Sequence, residues 1–179
     1  MAMTAEFPSF KYHRDPIASG AFARTDSACS ICGSKRGFKY EGEIFSQQDF
    51  EGVICPWCVA DGKAAIKLNA EFTDPGASEA VSDRRFSEEL ACRTPAYTSF
   101  QGPYWPAHCG DYCCFVDYVG GDELRKLSSE VRDSLFEDLS STFENMEEAM
   151  EALHREGSAV GYLFRCLKCE QHRLFWDCD

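Results

Sequence analysis

From Cys29 to Cys58 the chain reads CSICGSKRGFKYEGEIFSQQDFEGVICPWC, with a Cys-x-x-Cys pair at each end. Such a pair places two thiolates on one side of a tight turn, and two turns together supply the four tetrahedral ligands that zinc prefers. We therefore predict a first zinc site whose ligands are Cys29, Cys32, Cys55 and Cys58.

The order of elements around these cysteines is typical of a treble clef. Gly33 closes the first turn, and residues 37–45 predict a short hairpin. Apolar residues recur at three and four positions from 59 to 72, which predicts a helix directly after the second pair. A thioredoxin-like redox pair at Cys55 and Cys58 is the alternative. It leaves the first pair without a role and lacks the alternating strands and helices expected around it.

A second group of candidate ligands lies in the other half of the chain. The preferred set is Cys109, Cys113, Cys166 and Cys169. His108, Cys114 and Cys178 are rival ligands that would replace one of these four. A cluster of buried reduced thiols is the purely structural alternative, because free cysteine is among the most buried residue types. Four-ligand sites leave no open position for a catalytic water, so we predict two structural zinc ions per chain.

Composition narrows the class of protein. The 179 residues carry a formal charge of -12, which disfavours a phosphate-binding surface and hence direct contact with nucleic acid. No apolar run approaches the roughly 18 residues that span a bilayer, and the first ten residues lack the pattern of a secretion signal. Eleven cysteines without such a signal favour metal ligation in a reducing compartment. We therefore expect a cytoplasmic protein with no membrane contact.

The second half of the chain predicts both helices and strands. Residues 82–92 predict a helix with Ser82 as its N-cap, and residues 113–119 predict a strand. The stretch 122–156 carries two apolar stripes separated by a break, so we predict two helices there. Residues 158–165 and 173–177 predict two further strands, joined across the last Cys-x-x-Cys pair.

The fold class predicted from these elements is α+β. Residues 1–76 are expected to form a treble-clef-like zinc unit. It packs against an α+β unit, residues 77–179, with a second zinc knuckle and two acidic helices. The boundary rests on Asp74-Pro75-Gly76, which reads as a linker. A single compact domain is the alternative arrangement.

Several longer motifs are specific in combination. They are Phe10-Lys11-Tyr12-His13-Arg14-Asp15-Pro16, Cys55-Pro56-Trp57-Cys58 with Ala60-Asp61-Gly62, Arg93-Thr94-Pro95, His108-Cys109-Gly110-Asp111, and Tyr162-Leu163-Phe164-Arg165-Cys166 with Trp176-Asp177. Together they resemble the bacterial CbrC family over nearly the whole chain. The resemblance implies no established enzymatic activity, and the family's name is tied to tolerance of a DNase colicin. Cys114 and Cys178 depart from the family pattern, so the ligand set of the second site stays open.

Charge is concentrated in one part of the sequence. Residues 122–156 hold eleven acidic and four basic residues, which is -7 of the total charge of -12. A basic protein toxin would be attracted to such a face. The predicted contact residues are Glu137, Asp138, Glu144, Glu147, Glu148 and Glu151. We therefore predict a non-enzymatic zinc-binding protein that confers toxin tolerance or immunity by binding a protein partner. Ordinary solvated helix faces are the alternative.

The loop from Arg93 to Asp111 supports a different function, that of a small-ligand-binding protein or an enzyme. Its aromatic side chains would wall a pocket. The pocket candidates are Arg93, Tyr97, Gln101, Trp105, His108 and Asp111. His108 and Asp111 would serve as an acid/base pair, but neither a nucleophile nor a phosphate-binding loop accompanies them. A third hypothesis, thiol redox or zinc sensing, rests on the cysteine content alone.

Overall fold

The computed structural model describes residues 6–179, and its first half is built from short elements around the first cysteine cluster. These elements are β1 (Phe22–Arg24), β2 (Phe38–Tyr40), β3 (Phe45–Ser46), α1 (Pro56–Ala60), α2 (Lys63–Leu68) and β4 (Ala70–Glu71). Strand β1 pairs antiparallel with β2, and β3 pairs antiparallel with β4. A 3₁₀ turn over Pro75–Ala77 follows, capped by the Asp74 carboxylate.

The hairpin predicted for residues 37–45 is wrong. Its two arms belong to different sheets, because β2 takes β1 as its partner and β3 takes β4. Tyr40 accounts for the choice of β1. Its buried ring packs on Phe22 of β1 and on Phe72, at centroid distances of 5.7 and 5.2 Å. Burial of these aromatic rings outweighs the local turn preference of Glu41-Gly42.

The helix predicted for residues 59–72 begins earlier and is interrupted. Helix α1 begins at Pro56, a residue whose fixed φ suits the first helical position. Gly62 then separates α1 from α2 with a φ of 74°, in the left-handed region that glycine adopts readily. The break lets the turn before α1 face the cysteine cluster while Ala64 and Ala65 of α2 enter the core.

The second half combines one antiparallel sheet with helices. Its elements are α3 (Arg84–Arg93), β5 (Ala107–His108), β6 (Asp111–Tyr112), β7 (Cys114–Val119), α4 (Gly121–Leu124), α5 (Ser129–Leu139), α6 (Met146–Ala152), β8 (Ala159–Arg165) and β9 (His172–Cys178). The sheet has the order β7-β8-β9, and β5 pairs with β6 in a separate hairpin. The strands predicted for 113–119, 158–165 and 173–177 are confirmed, and the helix predicted for 82–92 is found as α3. The mixed α/β character predicted from the sequence is therefore confirmed.

Three helices, not two, occupy the stretch 122–156. The Ser128 hydroxyl caps α5, and the Asn145 side chain caps α6. Between them Phe143 is buried against Trp176 of β9, at a centroid distance of 5.1 Å, so the chain turns instead of continuing as a helix. None of the helices within residues 6–179 is long and apolar enough to cross a membrane.

Both faces of the three-stranded sheet are buried. Side chains of β8 alternate, so that Tyr162 and Phe164 face an aromatic core while Leu163 faces the helices α4 to α6. In the aromatic core Tyr97 stacks on Phe115 at 4.5 Å. The N-terminal segment pairs with the edge strand β7, where the Arg14 amide donates to the Phe115 carbonyl at 2.9 Å. The division at residue 76 stays a prediction.

Candidate metal centres

The first cysteine cluster is assembled as the sequence predicts. The ligand atoms of Cys29, Cys32, Cys55 and Cys58 lie within 4.8 Å of one another. The sulfur–sulfur distances from Cys29 to Cys58 and from Cys32 to Cys55 are both 3.9 Å. Tetrahedral thiolates at about 2.3 Å from a zinc ion would be about 3.8 Å apart. The sulfur atoms therefore already have the spacing of a tetrahedral metal site.

Backbone hydrogen bonds hold the two turns of this cluster together. The Gly33 amide closes the first turn by donating to the Cys29 carbonyl at 2.7 Å. The Ser30 amide donates to the Val53 carbonyl at 2.7 Å, and the Ser30 hydroxyl accepts from the Val53 amide at 3.1 Å. The Cys55 amide points at the Cys29 sulfur atom, 3.3 Å away. The site is thus preorganised by the chain itself.

Three thiols of the first cluster have shifted pKa values. Burial raises the pKa of Cys55 to about 11 and also raises the pKa of Cys58 well above its usual range. Burial opposes ionisation of Cys32 as well, but hydrogen bonds from Ser34 and the neighbouring thiols lower the pKa of Cys32 to about 6. Four thiolates this close together require a cation to neutralise them. The donor set therefore fits a divalent metal that accepts sulfur ligands.

A second cluster lies at the tips of two hairpins. Its ligand atoms belong to His108, Cys109, Cys166 and Cys169, again within 4.8 Å of one another. Nδ1 of His108 lies 3.3 Å from the Cys109 sulfur and 3.2 Å from the Cys169 sulfur. Cys166 is buried, whereas Cys109 and Cys169 are exposed. The structure thus assembles one nitrogen and three sulfur atoms at this site.

The second cluster differs from the preferred ligand set at one position, because His108 stands where we preferred Cys113. The β5–β6 hairpin has its tight turn at Cys109 and Gly110, with φ angles of 54° and 76°. This turn places His108 and Cys109 at the tip. Cys113 follows β6 and is fully buried in the aromatic core. The rival ligands Cys114 and Cys178 belong to β7 and β9 and lie outside the cluster.

The turn between β8 and β9 supplies the remaining two ligands. The Lys168 amide donates to the Cys166 sulfur at 3.4 Å, and the Lys168 ammonium donates to the Cys109 carbonyl at 2.7 Å. Burial raises the pKa of Cys166, but backbone amides of Cys169 and Lys168 and a contact with His108 lower it to about 6. A hydrogen bond with Cys169 is the main cause that raises the pKa of Cys109 to about 11. This cluster, like the first, needs a cation to hold its thiols fully ionised.

The pocket candidates of the 93–111 loop do not converge on one site. Tyr97 and Gln101 line a cavity of about 700 Å³ between the loop and residues 41–45. Arg93 lines a different cavity of about 850 Å³. Trp105 is fully buried in the aromatic core. The loop therefore packs against the sheet and also borders a cavity.

The last two pocket candidates have their polar atoms engaged elsewhere. Nδ1 of His108 faces the cysteine sulfur atoms of the second cluster. The buried Asp111 carboxylate accepts hydrogen bonds from the Tyr12 hydroxyl at 2.6 Å and from the Lys11 ammonium at 2.9 Å. His108 and Asp111 are cross-strand neighbours in the β5–β6 hairpin. Their geometry favours metal ligation and packing over the acid/base pair considered from the sequence.

Asp138 differs from the other predicted contact residues. Its side chain is only 15% exposed and forms an ion pair with Arg173 at 2.9 Å. It also accepts the Leu174 amide at 2.8 Å. Arg173 pairs in addition with Glu79 at 2.9 Å and donates to the Ala107 carbonyl. Asp138 thus joins α5 to β9, an arrangement that no local sequence pattern indicates.

The other five acidic residues are exposed: Glu137, Glu144, Glu147, Glu148 and Glu151. Glu147 forms an ion pair with Arg125 at 3.0 Å, and the Glu148 carboxylate accepts the Glu144 amide at 2.6 Å. Within residues 6–179, the carboxylates of Glu137, Glu144 and Glu151 have no ion-pair partner within 4.0 Å. The most available charges among these five residues are therefore those of Glu137, Glu144 and Glu151.

The chain belongs to the UPF0167 family, whose model, described as an uncharacterised protein family, matches residues 7–178. UPF0167 proteins of Mycobacterium bovis and Mycobacterium tuberculosis are each 36% identical over 178 residues, covering 96% of this chain and 94% of the relative. A UPF0167 protein of Pseudomonas aeruginosa is 34% identical over 172 residues, covering 94% of this chain and 96% of the relative. No solved structure matches. These relatives carry the UPF0167 name, and the narrower CbrC resemblance stays a prediction.

Proposed function

We propose that this protein is a non-enzymatic zinc-binding protein in which two zinc ions stabilise the fold. The observation that carries the proposal is the presence of two groups of four ligand atoms, each within 4.8 Å. Cys₄ and Cys₃His are ligand sets of structural zinc sites, and four protein ligands leave no coordination position for a catalytic water. The first centre is treble-clef-like in its cysteine turn and helix α1, although β2 pairs with β1 instead of forming the hairpin.

Zinc binding and folding are tightly linked in such a protein. A structural zinc ion contributes on the order of 10 kcal/mol of apparent folding free energy. That is comparable with the whole stability of a domain, about 5–15 kcal/mol. With seven thiolates and two divalent ions, the formal charge changes from -12 to about -15. Metal loading therefore stabilises the fold while making the protein more acidic.

Mass spectrometry under non-denaturing conditions tests the zinc proposal directly. We expect a mass increase of two zinc ions per chain as isolated, and elemental analysis identifies the metal. Adding acid should release both ions, because thiolate ligands are protonated as the pH falls. A metal-free protein with a disulfide between Cys29 and Cys32 would overturn the proposal.

The second part of the proposal concerns a partner. We propose that a basic protein toxin binds the acidic surface of α5 and α6, and that this binding confers tolerance in the cytoplasm. The support is the charge of -7 over residues 122–156 together with the exposed, unpaired carboxylates of Glu137 and Glu151. Charge of this kind accelerates association with a basic partner at low ionic strength.

Matched charge reversals test the partner proposal. The double variant Glu137→Lys/Glu151→Lys and the control Asp49→Lys/Glu51→Lys each change the net charge by +4 on exposed residues. Stopped-flow binding to a basic DNase toxin domain should be slowed on the order of tenfold only by the first variant. Equal rates for both variants would mean that total charge, and not this surface, attracts the partner. Absence of binding by the unmodified protein would reject the toxin as the partner.

A further inference from the structure

The two metal centres differ in how far solvent reaches their ligands. In the first centre Cys29, Cys55 and Cys58 are buried, and only Cys32 is exposed. In the second centre Cys109 and Cys169 are both exposed. A small oxidant in solution can therefore reach two neighbouring sulfur atoms in the second centre but only one in the first.

Only one ligand of the second centre, Cys166, belongs to a core of the protein, whereas Cys109 and Cys169 are exposed. The second centre connects the tip of the β5–β6 hairpin to the tip of the β8–β9 hairpin, beyond the last pair of the sheet register, Arg165 and His172. Leu167, within the second turn, is exposed. Apart from the ligands, the tips are joined by the hydrogen bond from the Lys168 ammonium to the Cys109 carbonyl. Loss of this metal would therefore free two surface turns and leave the sheet paired.

We propose that the exposed pair Cys109 and Cys169 is a redox site, at which a peroxide forms a disulfide and releases the metal of the second centre. The inference rests on the proposed function in one respect, namely that both centres hold zinc. The first centre is expected to keep its metal under the same conditions, because its single exposed thiolate, Cys32, has only buried partners. A disulfide there would require a buried turn to open.

The chemical step balances with hydrogen peroxide as the oxidant. One exposed thiolate attacks the peroxide O–O bond, which gives a sulfenic acid and hydroxide. The second thiolate then attacks that sulfur, so that the S–S bond forms and a second hydroxide leaves. The two thiolates lose two electrons, the peroxide gains two, and two protons convert the hydroxides to water. The metal retains only His108 and Cys166 as protein ligands and dissociates as a dication.

The geometry allows this pair to form. The two sulfur atoms lie within 4.8 Å of each other and must approach to about 2 Å. The required movement falls on exposed turns, one of which contains Cys109 with a φ of 54°, an uncommon conformation for a residue other than glycine.

Zinc release under hydrogen peroxide tests the proposal on the whole, zinc-loaded protein. We expect one of the two zinc ions to appear in solution, measured with a chromogenic chelator, and the other to remain bound in the non-denaturing mass spectrum. Alkylation and peptide mapping should then find a disulfide between Cys109 and Cys169. Reduction and added zinc should restore two ions per chain.

Variants separate this pair from the other thiols of the protein. Cys178→Ser removes a partly exposed cysteine outside both clusters and should leave the release of one zinc ion unchanged. Lys168→Ala removes the hydrogen bond between the two tips but keeps all four ligands, so it should still release one zinc ion. Release of both ions together, oxidation of the first cluster before the second, or a disulfide between Cys166 and Cys169 would overturn the inference. Fewer than two zinc ions before oxidation would instead reject the proposed function.

Discussion

Substituting Cys55 by serine removes one of the four candidate ligands of the first cysteine cluster. Cys55 is fully buried at the start of α1, with its sulfur 3.9 Å from that of Cys32 and its amide directed at Cys29. A serine hydroxyl is not a zinc ligand of comparable strength, so three thiolates remain and the tetrahedron is incomplete. The variant should lose most of the roughly 10 kcal/mol that the metal contributes. Because domains are stable by only about 5–15 kcal/mol, we expect the core around the first cysteine cluster, which includes Phe22, Tyr40 and Phe72, to unfold.

The assay combines zinc stoichiometry with unfolding. In the non-denaturing mass spectrum the Cys55→Ser variant should carry one zinc ion instead of two. Its urea midpoint should fall, and the near-ultraviolet circular dichroism of Trp57, which packs against this core, should be lost. Retention of two zinc ions with an unchanged urea midpoint would refute the reasoning.

Cys113→Ser is the matched control. Cys113 is as fully buried as Cys55 but belongs to the aromatic core and lies outside the second cluster. A buried hydroxyl in place of its thiol should cost about 1–3 kcal/mol and leave two zinc ions bound. Loss of one zinc ion from this control would show that Cys113, and not His108, ligates the second metal.

Three further outcomes follow from the structure. His108→Ala should reduce the zinc content by one ion in the mass spectrum and leave the first centre loaded, because only the second cluster uses an imidazole. Burial lowers the pKa of His13 to about 4, although the hydrogen bond that its ring donates to the Pro95 carbonyl opposes this shift. As the pH falls, the imidazole of His13 is therefore protonated in the unfolded chain before it is protonated in the folded chain. The free energy of unfolding should decrease by about 3 kcal/mol as the pH falls from 6.5 to 4. NMR titration should show the ring of His13 still neutral at pH 5. Arg173→Leu should lower the free energy of unfolding by about 2–4 kcal/mol in urea titrations, because it leaves the mostly buried Asp138 carboxylate without its cation. Asp138→Asn, which keeps an acceptor for the Leu174 amide, should lower it less.

Short-range patterns account for much of the agreement between sequence and structure. The strands β7, β8 and β9 were predictable because each is a run of apolar residues bounded by turn residues or a cysteine pair. The position of helix α3 followed from its apolar spacing in the same way. The predicted N-cap was wrong by one residue, because the Asp83 carboxylate, and not the Ser82 hydroxyl, accepts the Arg85 amide.

Long-range packing accounts for the differences. Residues 38–46 contain two short strands, but only the aromatic contacts of Tyr40 with Phe22 and Phe72 select the partner of the first strand. The two apolar stripes of residues 122–156 did not predict that the chain turns at Phe143, whose ring packs in the core beside Trp176. The role of Asp138 was likewise hidden, since its partner Arg173 is 35 positions away in sequence.

The sequence by itself determined the candidate ligand set of the first cysteine cluster. Each Cys-x-x-Cys pair fixes the local spacing of its own two sulfur atoms, and no ligand choice remained within that stretch. The tertiary structure alone decided the second centre, where six cysteines and one histidine competed. There the β5–β6 turn places His108 beside Cys109, Cys166 and Cys169, while burial in the aromatic core takes Cys113 away from them. The physical reason is that two Cys-x-x-Cys pairs identify their four ligands by local spacing, whereas the choice among seven candidate ligands in the second half depends on which of them the packed core brings together.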